Sequence, residues 1–365
     1  MKIHLQKEVI CEALQSVASV VERRHTAPIL SNVRLEADKD VLYVTATDNE
    51  VELTVTVKDV VVNEPGLLTT PARKLLDLCR SLPDKSEIHL EPAESRLLFV
   101  AGSFKSHLST LPVEEFPLVP DEVPTLSIDV DAQKLKNMLD KTAFAMAQQD
   151  VRYFFNGMLF DISSDSLRVV ATNGQRLATR VESVETEGQV AFIVPRKGVN
   201  ELQRVLAGEQ DIISLQFTQN HLRATGPSAK LVSKLIDGTF PDYQVAIPRG
   251  GDKVLEADRG LLRDAFIRAS ILSNEMYRNV KLHLTTDSLG IMANNPQKED
   301  TEEQLKVSYE GGELEIGFNV SYLIDCLSVI GHEKVRLTFT DNSSAVLVEA
   351  PGDEHSTYVI SPMVI

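Results

Sequence analysis

The chain has 365 residues, 43% of them apolar and 25% charged, with 37 basic against 53 acidic side chains and a formal net charge of −16. That much apolar material supports more than one core, and the length allows two or three domains. The acidic balance excludes a protein that grips phosphate with its whole surface, because such binding rests on Lys and Arg. The lack of a run of ~18 apolar residues excludes a membrane-spanning helix.

The opening segment from Met1 to Lys7 has no apolar run, so no secretory leader is expected. A first helix is expected over about residues 7–21, where Val9, Leu14, Val17 and Val21 fall near helical spacing. Val51, Leu53, Val55 and Val57 then alternate with Glu52, Thr54, Thr56 and Lys58, the pattern of a half-buried antiparallel strand. Pro71 opens a second helix over about 72–82, at a position where proline is tolerated. Helices follow over about 131–149 and 196–207, then 258–273 and 319–330, with Asp131 and Asp258 as N-caps and Pro195 before the fourth. Val335, Leu337 and Phe339 alternate with Arg336, Thr338 and Thr340 as another strand. Asp48-Asn49, Asn173-Gly174, Asn220-His221 and Asp341-Asn342 are turn signals. Cys11, Cys79 and Cys326 are odd in number and far apart in apolar helical patterns, so buried, reduced thiols of a cytoplasmic protein are expected.

The same arrangement recurs three times. Ser31-Asn32-Val33-Arg34-Leu35, leading to Ala46-Thr47-Asp48-Asn49, returns as Phe155-Asn156-Gly157-Met158-Leu159, leading to Ala171-Thr172-Asn173-Gly174. It returns again as Arg278-Asn279-Val280-Lys281-Leu282, leading to Ala293-Asn294-Asn295-Pro296. Asn32, Asn156 and Asn279 stand 124 and 123 residues apart. Prolines 112, 117, 120 and 124 punctuate the first boundary, and Pro241, Pro248, Gly250 and Gly251 the second. Domains over 1–126, 127–253 and 254–365 are expected. The architecture is α+β: two helices on one face of antiparallel sheets, in three tandem copies.

Charge is not spread evenly over this frame. The first expected helix, extended to residue 24, is neutral, and the other five carry +2, +1, +2, +1 and −1. The helices are thus the basic part of an acidic chain, and helices at equivalent repeat positions could offer one surface to a phosphate backbone. No sequence-reading module for nucleic acid is present, so any such binding is expected to be sequence-independent.

The chain looks noncatalytic and carries no cofactor or metal motif. There is no Gly-rich phosphate loop, no nucleophile elbow, no His-Glu-x-x-His and no Cys-x-x-Cys. Acidic pairs at Asp48/Glu50, Asp161/Asp165 and Glu302/Glu303 would suit a metal-dependent nuclease or transferase, but read more simply as exposed turns and a solvated charge run. A scaffold that never meets DNA is a further alternative, with no reason to gather basic charge on its equivalent helices.

Several stretches carry a family resemblance: Thr26-Ala-Pro-Ile-Leu-Ser-Asn32, Thr70-Pro-Ala-Arg-Lys74, Gln149-Asp-Val-Arg-Tyr153, Val194-Pro-Arg-Lys-Gly198, the run from Ser233 to Tyr243, and Gly317-Phe-Asn-Val-Ser-Tyr322. In these the chain resembles the bacterial sliding clamps, the beta subunits of DNA polymerase III, over essentially its whole length. The resemblance implies a replication processivity factor: a head-to-tail homodimeric ring that encircles duplex DNA, with helices lining the hole. It implies partners in the polymerase III alpha subunit, the clamp loader, and other polymerases, mismatch-repair proteins and ligase, which dock through short linear peptides. Carried over by position, the peptide pocket falls on Phe155, Thr172, Gly174, Gln175, Arg176, Leu177, Pro241, Val245, Ala246, Val346, Val359, Ile360, Ser361, Pro362 and Met363. DNA contacts fall on Arg24, Arg73, Gln149, Tyr153, Arg196 and Lys197. The dimer interface falls on Lys74, Phe104, Leu108, Ile271 and Leu272. Gln175 stands where relatives carry His, Phe155 where they carry Leu, Val245 where they carry Arg and Ser361 where they carry Met, so a more apolar pocket near Val245 is expected.

Overall fold

The computed structural model describes residues 1–21, 27–186 and 188–364. Arg24 lies outside the described residues, as does Thr26.

Each repeat runs strand, helix, strands, helix, strands. In the first, β1 (Lys2–Gln6) leads directly into α1 (Lys7–Val17). Then follow β2 (Asn32–Asp38), β3 (Val41–Thr47), β4 (Val51–Val57), β5 (Val60–Glu64) and β6 (Gly66–Pro71). Next come α2 (Ala72–Ser81), β7 (Glu87–Ala93), β8 (Arg96–Ala101) and β9 (Phe104–Ser109). The second repeat opens with β10 (Leu126–Asp131), α3 (Ala132–Thr142), β11 (Gly157–Ser163), β12 (Ser166–Thr172), β13 (Arg176–Ser183) and β14 (Val190–Pro195). It closes with α4 (Arg196–Ala207), β15 (Ile212–Phe217), β16 (His221–Thr225) and β17 (Ala229–Lys234). The third opens with β18 (Lys253–Asp258), α5 (Arg259–Ile271), β19 (Asn279–Thr285), β20 (Ser288–Asn294), β21 (Asp300–Lys306), β22 (Ser308–Tyr309) and β23 (Leu314–Asn319). It closes with α6 (Val320–Val329), β24 (Lys334–Phe339), β25 (Val346–Glu349) and β26 (Ser356–Ile360).

The helices start where their caps dictate. Asp131 accepts the Lys134 N–H at 2.9 Å, and Asp258 accepts the Leu261 N–H at 2.8 Å. Two helices end earlier than periodicity suggests. α1 stops at Val17 rather than near Val21. α3 stops at Thr142, whose hydroxyl donates back to the Met138 carbonyl at 2.7 Å; a short 3-10 turn over Ala143–Ala145 follows. Gln149 then adopts φ 55°, which no helix accommodates, so it stands in a loop.

Among the described residues the strands form four sheets, and every registered strand pair is antiparallel. Their orders are β5-β1-β7-β8-β9, β10-β15-β16-β17-β4-β3-β2-β6, β14-β11-β12-β13-β26-β25-β24-β18-β22 and β21-β20-β19-β23. The two large sheets join repeats edge to edge. β17 of the second repeat pairs with β4 of the first, from Ala229↔Val55 to Ser233↔Val51. β26 of the third pairs with β13 of the second, from Arg176↔Ile360 to Arg180↔Ser356. Compactness therefore divides the chain through the middle repeat, into one unit of Met1–Lys136 with Lys197–Leu235 and a second of Asn137–Arg196 with the chain from Ile236 onward.

Each repeat supplies fully buried aromatic side chains: Phe99 in the first, Phe160 and Phe217 in the second, Phe266, Phe318 and Phe339 in the third. Burial of each contributes roughly 1.5–3 kcal/mol. Val335, Leu337 and Phe339 point inward as the alternation requires. β4 departs from its pattern. Glu52 was expected on the solvent face, yet it is buried, because β4 lies inside an eight-stranded sheet and the segment that reaches Val119 covers it there. Its carboxylate accepts the Val119 N–H at 2.9 Å, and burial raises its pKa above the ordinary value. The three cysteines are free and buried.

Candidate partner-binding site

The turn between β12 and β13 organises the site. The Thr172 hydroxyl accepts the Gly174 N–H at 3.0 Å and donates to the Arg176 carbonyl at 2.6 Å. Asn173 Oδ1 accepts the N–H groups of Gln175 and Arg176 at 2.9 and 3.0 Å. Gly174 holds φ 88°, the left-handed region that favours glycine.

The C-terminal strand forms the next wall. Leu177 pairs in register with Val359 and Arg176 with Ile360, while Ile360 pairs on its other side with Val346. The Ser361 N–H donates to the Gln175 carbonyl at 2.8 Å, carrying the contact one residue past the strand. Leu159, Val170, Leu177, Ile193 and Val359 form one buried apolar cluster, against which Phe154, Phe240, Tyr243, Ile247 and Leu347 pack. Phe155 meets Phe154 and Phe240 edge-on, with centroids at 4.7 and 5.9 Å. Pro241, Val245 and Ala246 belong to the segment that lays Phe240, Tyr243 and Ile247 on this cluster, and they stay exposed. Val245 is 82% exposed, a large apolar side chain with no cover. Tyr243 is fixed by its hydroxyl, which donates to Asp161 at 2.9 Å; burial, helped by that carboxylate, raises its pKa.

A polar cleft of about 600 Å³ adjoins the same turn, lined by Gly174, Gln175, Arg176, Met146, Arg152, Asn173, Arg196 and Tyr322 among others. Arg176 is its rigid centre. One guanidinium nitrogen donates to Asp325 at 2.6 Å and another to the Phe144 carbonyl, while the plane lies 4.6 Å from the Tyr322 ring centroid and 5.2 Å from that of Phe144. The Tyr322 hydroxyl donates to Gln175 at 2.9 Å. Arg152 bridges Asp150 and the Asn173 carbonyl and lies 4.7 Å over the Phe155 ring. Its hydrogen bonds hold the Asp150 carboxyl down to about 2. Pro362 and Met363, expected in the same pocket, line a separate cleft of about 470 Å³ with Ile316, Gly317 and Asn342. The sequence reading missed Arg152, Phe154, Phe240, Tyr243 and Tyr322. Arg152 lies within the quoted Gln149–Tyr153 stretch and Phe154 just after it, Phe240 and Tyr243 lie within the quoted run from Ser233 to Tyr243, and Tyr322 ends the quoted Gly317–Tyr322 stretch, so the signal was there without a role attached to it.

The residues expected at DNA behave unequally. Arg73, Gln149 and Tyr153 are exposed. Arg196 instead donates to the Met146 carbonyl at 3.0 Å and so pins the loop after α3. Lys197 donates its ammonium to Asp48, whose side chain is only 2% exposed. Asp48 is thus a buried turn residue rather than the exposed one expected. Helices α1 to α6 carry −1, +2, +2, +2, +2 and −1 within an acidic chain. Of the residues expected at a dimer interface, Lys74, Phe104 and Ile271 are exposed, Leu272 is half-buried, and Leu108 already packs in the chain's own core.

Comparison with known proteins decides the family. The N-terminal, central and C-terminal domains of the DNA polymerase III beta subunit match residues 1–120, 129–242 and 244–364. The chain belongs to the DNA polymerase III beta subunit family, the beta sliding clamps. It is 47% identical over 365 residues to the beta sliding clamp of Pseudomonas putida and 42% identical over 364 residues to that of Escherichia coli K12, with all of each chain covered. The crystal structure of the Pseudomonas aeruginosa clamp bound to griselimycin superposes with a TM-score of 0.96 at 46% identity, again over the whole of both chains. The chain is accordingly a processivity clamp of DNA replication, built of three tandem clamp domains, and a noncatalytic accessory subunit rather than an enzyme. No helix of the described residues is long and apolar enough to cross a membrane.

Proposed function

We propose that two copies of this clamp close head to tail into a ring around duplex DNA, and that partners attach through short peptides at the β12–β13 turn. One observation carries the ring. Where repeats meet within the chain, the third strand of one repeat's inner hairpin sheet pairs with the last strand of the next: β4 with β17, and β13 with β26. The third repeat's equivalent strand is β21, and the first repeat's last strand is β9. Each stands at a sheet edge, paired on one side only, β21 with β20 and β9 with β8, and has no strand on its outer side among the described residues. Pairing β21 of one copy with β9 of another repeats the same junction between chains, and a heterologous contact of this kind closes when its rotations sum to a full turn. Phe104 on β9 and Ile271 at the end of α5, 41% and 73% exposed, supply apolar surface for it beside Lys74, Leu108 and Leu272.

In this reading, domains 1–126, 127–253 and 254–365 each contribute two helices toward the duplex, and Arg24, Arg73, Gln149, Tyr153, Arg196 and Lys197 make brief phosphate contacts. The engagement of Arg196 and Lys197 with Met146 and Asp48 suits a clamp that slides, since firmly bound phosphates would brake it. The apolar cluster under Leu177 and Val359, rimmed by Phe155, Val245 and Ser361, receives hydrophobic anchors of a linear peptide, while the polar cleft at Arg176 takes its polar flank. The partners so tethered are the polymerase III alpha subunit, the clamp loader, and other polymerases, mismatch-repair proteins and ligase in the bacterial cytoplasm. Tethering raises the partner's effective concentration at the primer end without tight DNA binding. The test is retention after loading with ATP and a cognate clamp loader. Retention on circular DNA with rapid loss on linearisation is expected; equal retention on both forms refutes encirclement.

A further inference from the structure

His4, Glu87 and His89 come together on the exposed face of the first sheet. His4 on β1 stands directly opposite His89 on β7, and their rings stack with centroids 4.2 Å apart and 17° between planes. Glu87 lies two residues before His89, so strand periodicity puts it on the same face. Its carboxylate is 3.4 Å from His4 Nε2. One ligand atom from each of the three lies within 4.8 Å of the others. The intervening residues Ile3, Leu5, Ile88 and Leu90 are buried on the opposite face, which fixes the register that brings these groups together. β1 is also held from its other side by β5, so the backbone under the cluster is rigid.

We propose that these three side chains bind a borderline divalent transition-metal ion, Zn²⁺ foremost. Two imidazoles and one carboxylate suit such an ion, whereas Mg²⁺ and Ca²⁺ select all-oxygen sets. Zn–N bonds of 2.0–2.1 Å in a tetrahedron put ligand atoms about 3.4 Å apart, a spacing the His4–Glu87 pair already has. The stacked rings reach it by turning about χ2, a broad torsional well. Water takes the fourth position. The ion clips the N-terminal strand to a strand more than 80 residues away, adding a crosslink that backbone pairing alone lacks.

Calorimetric titration of the untagged, full-length protein with Zn²⁺ tests this. One ion per chain is expected. Loss of outer-shell partners alone costs metal sites about 10- to 100-fold in affinity, so the His4→Gln/His89→Gln double variant should lose at least that much. Glu87→Gln should fall between the two. Co²⁺ should give the visible absorption of a tetrahedral site in the unsubstituted protein and not in the double variant. The substituted side chains stand on the solvent face, and unchanged far-ultraviolet circular dichroism checks that the variants fold. Equal Zn²⁺ affinity and stoichiometry in the unsubstituted protein and the double variant overturn the proposal, as does failure of the unsubstituted protein to bind either ion.

Discussion

Asp48 offers the sharpest test of how the repeats are tied together. It closes the turn between β3 and β4 by accepting the N–H groups of Glu50 and Val51 at 2.9 and 2.8 Å, and it takes the ammonium of Lys197 from the first residues of α4. Its side chain is 2% exposed, against 30% for Lys197. Asp48→Ala leaves the buried Val51 N–H without an acceptor, which costs about 1–3 kcal/mol. The lysine can turn toward water, so its loss adds less, and a total of about 2–4 kcal/mol follows. Asp48→Asn keeps an oxygen for the two N–H groups and gives up only the charge, at a cost of about 1 kcal/mol. The assay is native-state hydrogen exchange over the β3–β4 turn, which reads local opening without unfolding the whole chain. Protection there should fall by about 30- to 1,000-fold in Asp48→Ala and by about fivefold in Asp48→Asn. Lys197→Met should weaken the same amides, and the double variant should show non-additivity. A loss under about twofold in Asp48→Ala, or strict additivity with Lys197→Met, refutes the view that this buried pair joins the first repeat to the fourth helix.

Three further outcomes are expected. Ile271→Asp changes a side chain that is 73% exposed in the single chain, so the chain should fold as before, while an unpaired charge in the proposed interface costs about 3–5 kcal/mol and should yield monomers in sedimentation velocity; an unchanged dimer would remove Ile271 from the contact. Val245→Asp should weaken a fluorescent partner peptide by about tenfold with no change in melting temperature, since an exposed apolar rim residue matters only when covered. Arg152 holds Asp150 down to about 2 from an ordinary 3.8; because the folded value is the lower one, the pair's contribution is complete above the ordinary value and fades as pH falls through 2. Exchange over residues 149–153 should therefore rise between about pH 4 and pH 2, and a carboxyl titration centred on the ordinary value would contradict the pairing.

The repeat and the helices were legible because they rest on local rules. Asp131 and Asp258 cap as their positions suggest, and the fourth helix has the bounds its pattern implies. What escaped was set by distant partners. Glu52 reads as an outward strand residue because nothing nearby announces that a segment reaching Val119 will cover it. Asp48 reads as a solvent turn because Lys197 is 149 residues away. The pocket is proposed from the resemblance to sliding clamps; periodicity alone describes Val359 and Ile360 as an ordinary terminal strand. The aromatic floor of Phe154, Phe240 and Tyr243 assembles from segments separated by some 80 residues, and no single window of sequence holds it. His4 and His89 likewise became a pair only through strand register.

The open outer edges of β21 and β9 bear on why the proposed ring would close rather than polymerise at random. An unpaired edge strand is an invitation to any other strand, and proteins blunt it with charge. β21 carries Asp300, Glu302 and Glu303 against a single Lys306, while β9 carries Lys105 and no acidic residue. Pairing β21 with another β21 would set like charges opposite one another, which is destabilising. Pairing it with β9 meets a strand of opposite charge bias. The edges therefore discriminate against isologous contacts and favour the head-to-tail one, in the way that repulsion as well as attraction sets specificity. Each copy added to an open assembly through this contact satisfies one of these two edges and presents the other, so in the proposed ring only closure leaves neither β21 nor β9 open on its outer side. In the proposed ring an acidic chain can serve DNA, because retention would come from the closed circuit of strands rather than from phosphate contacts.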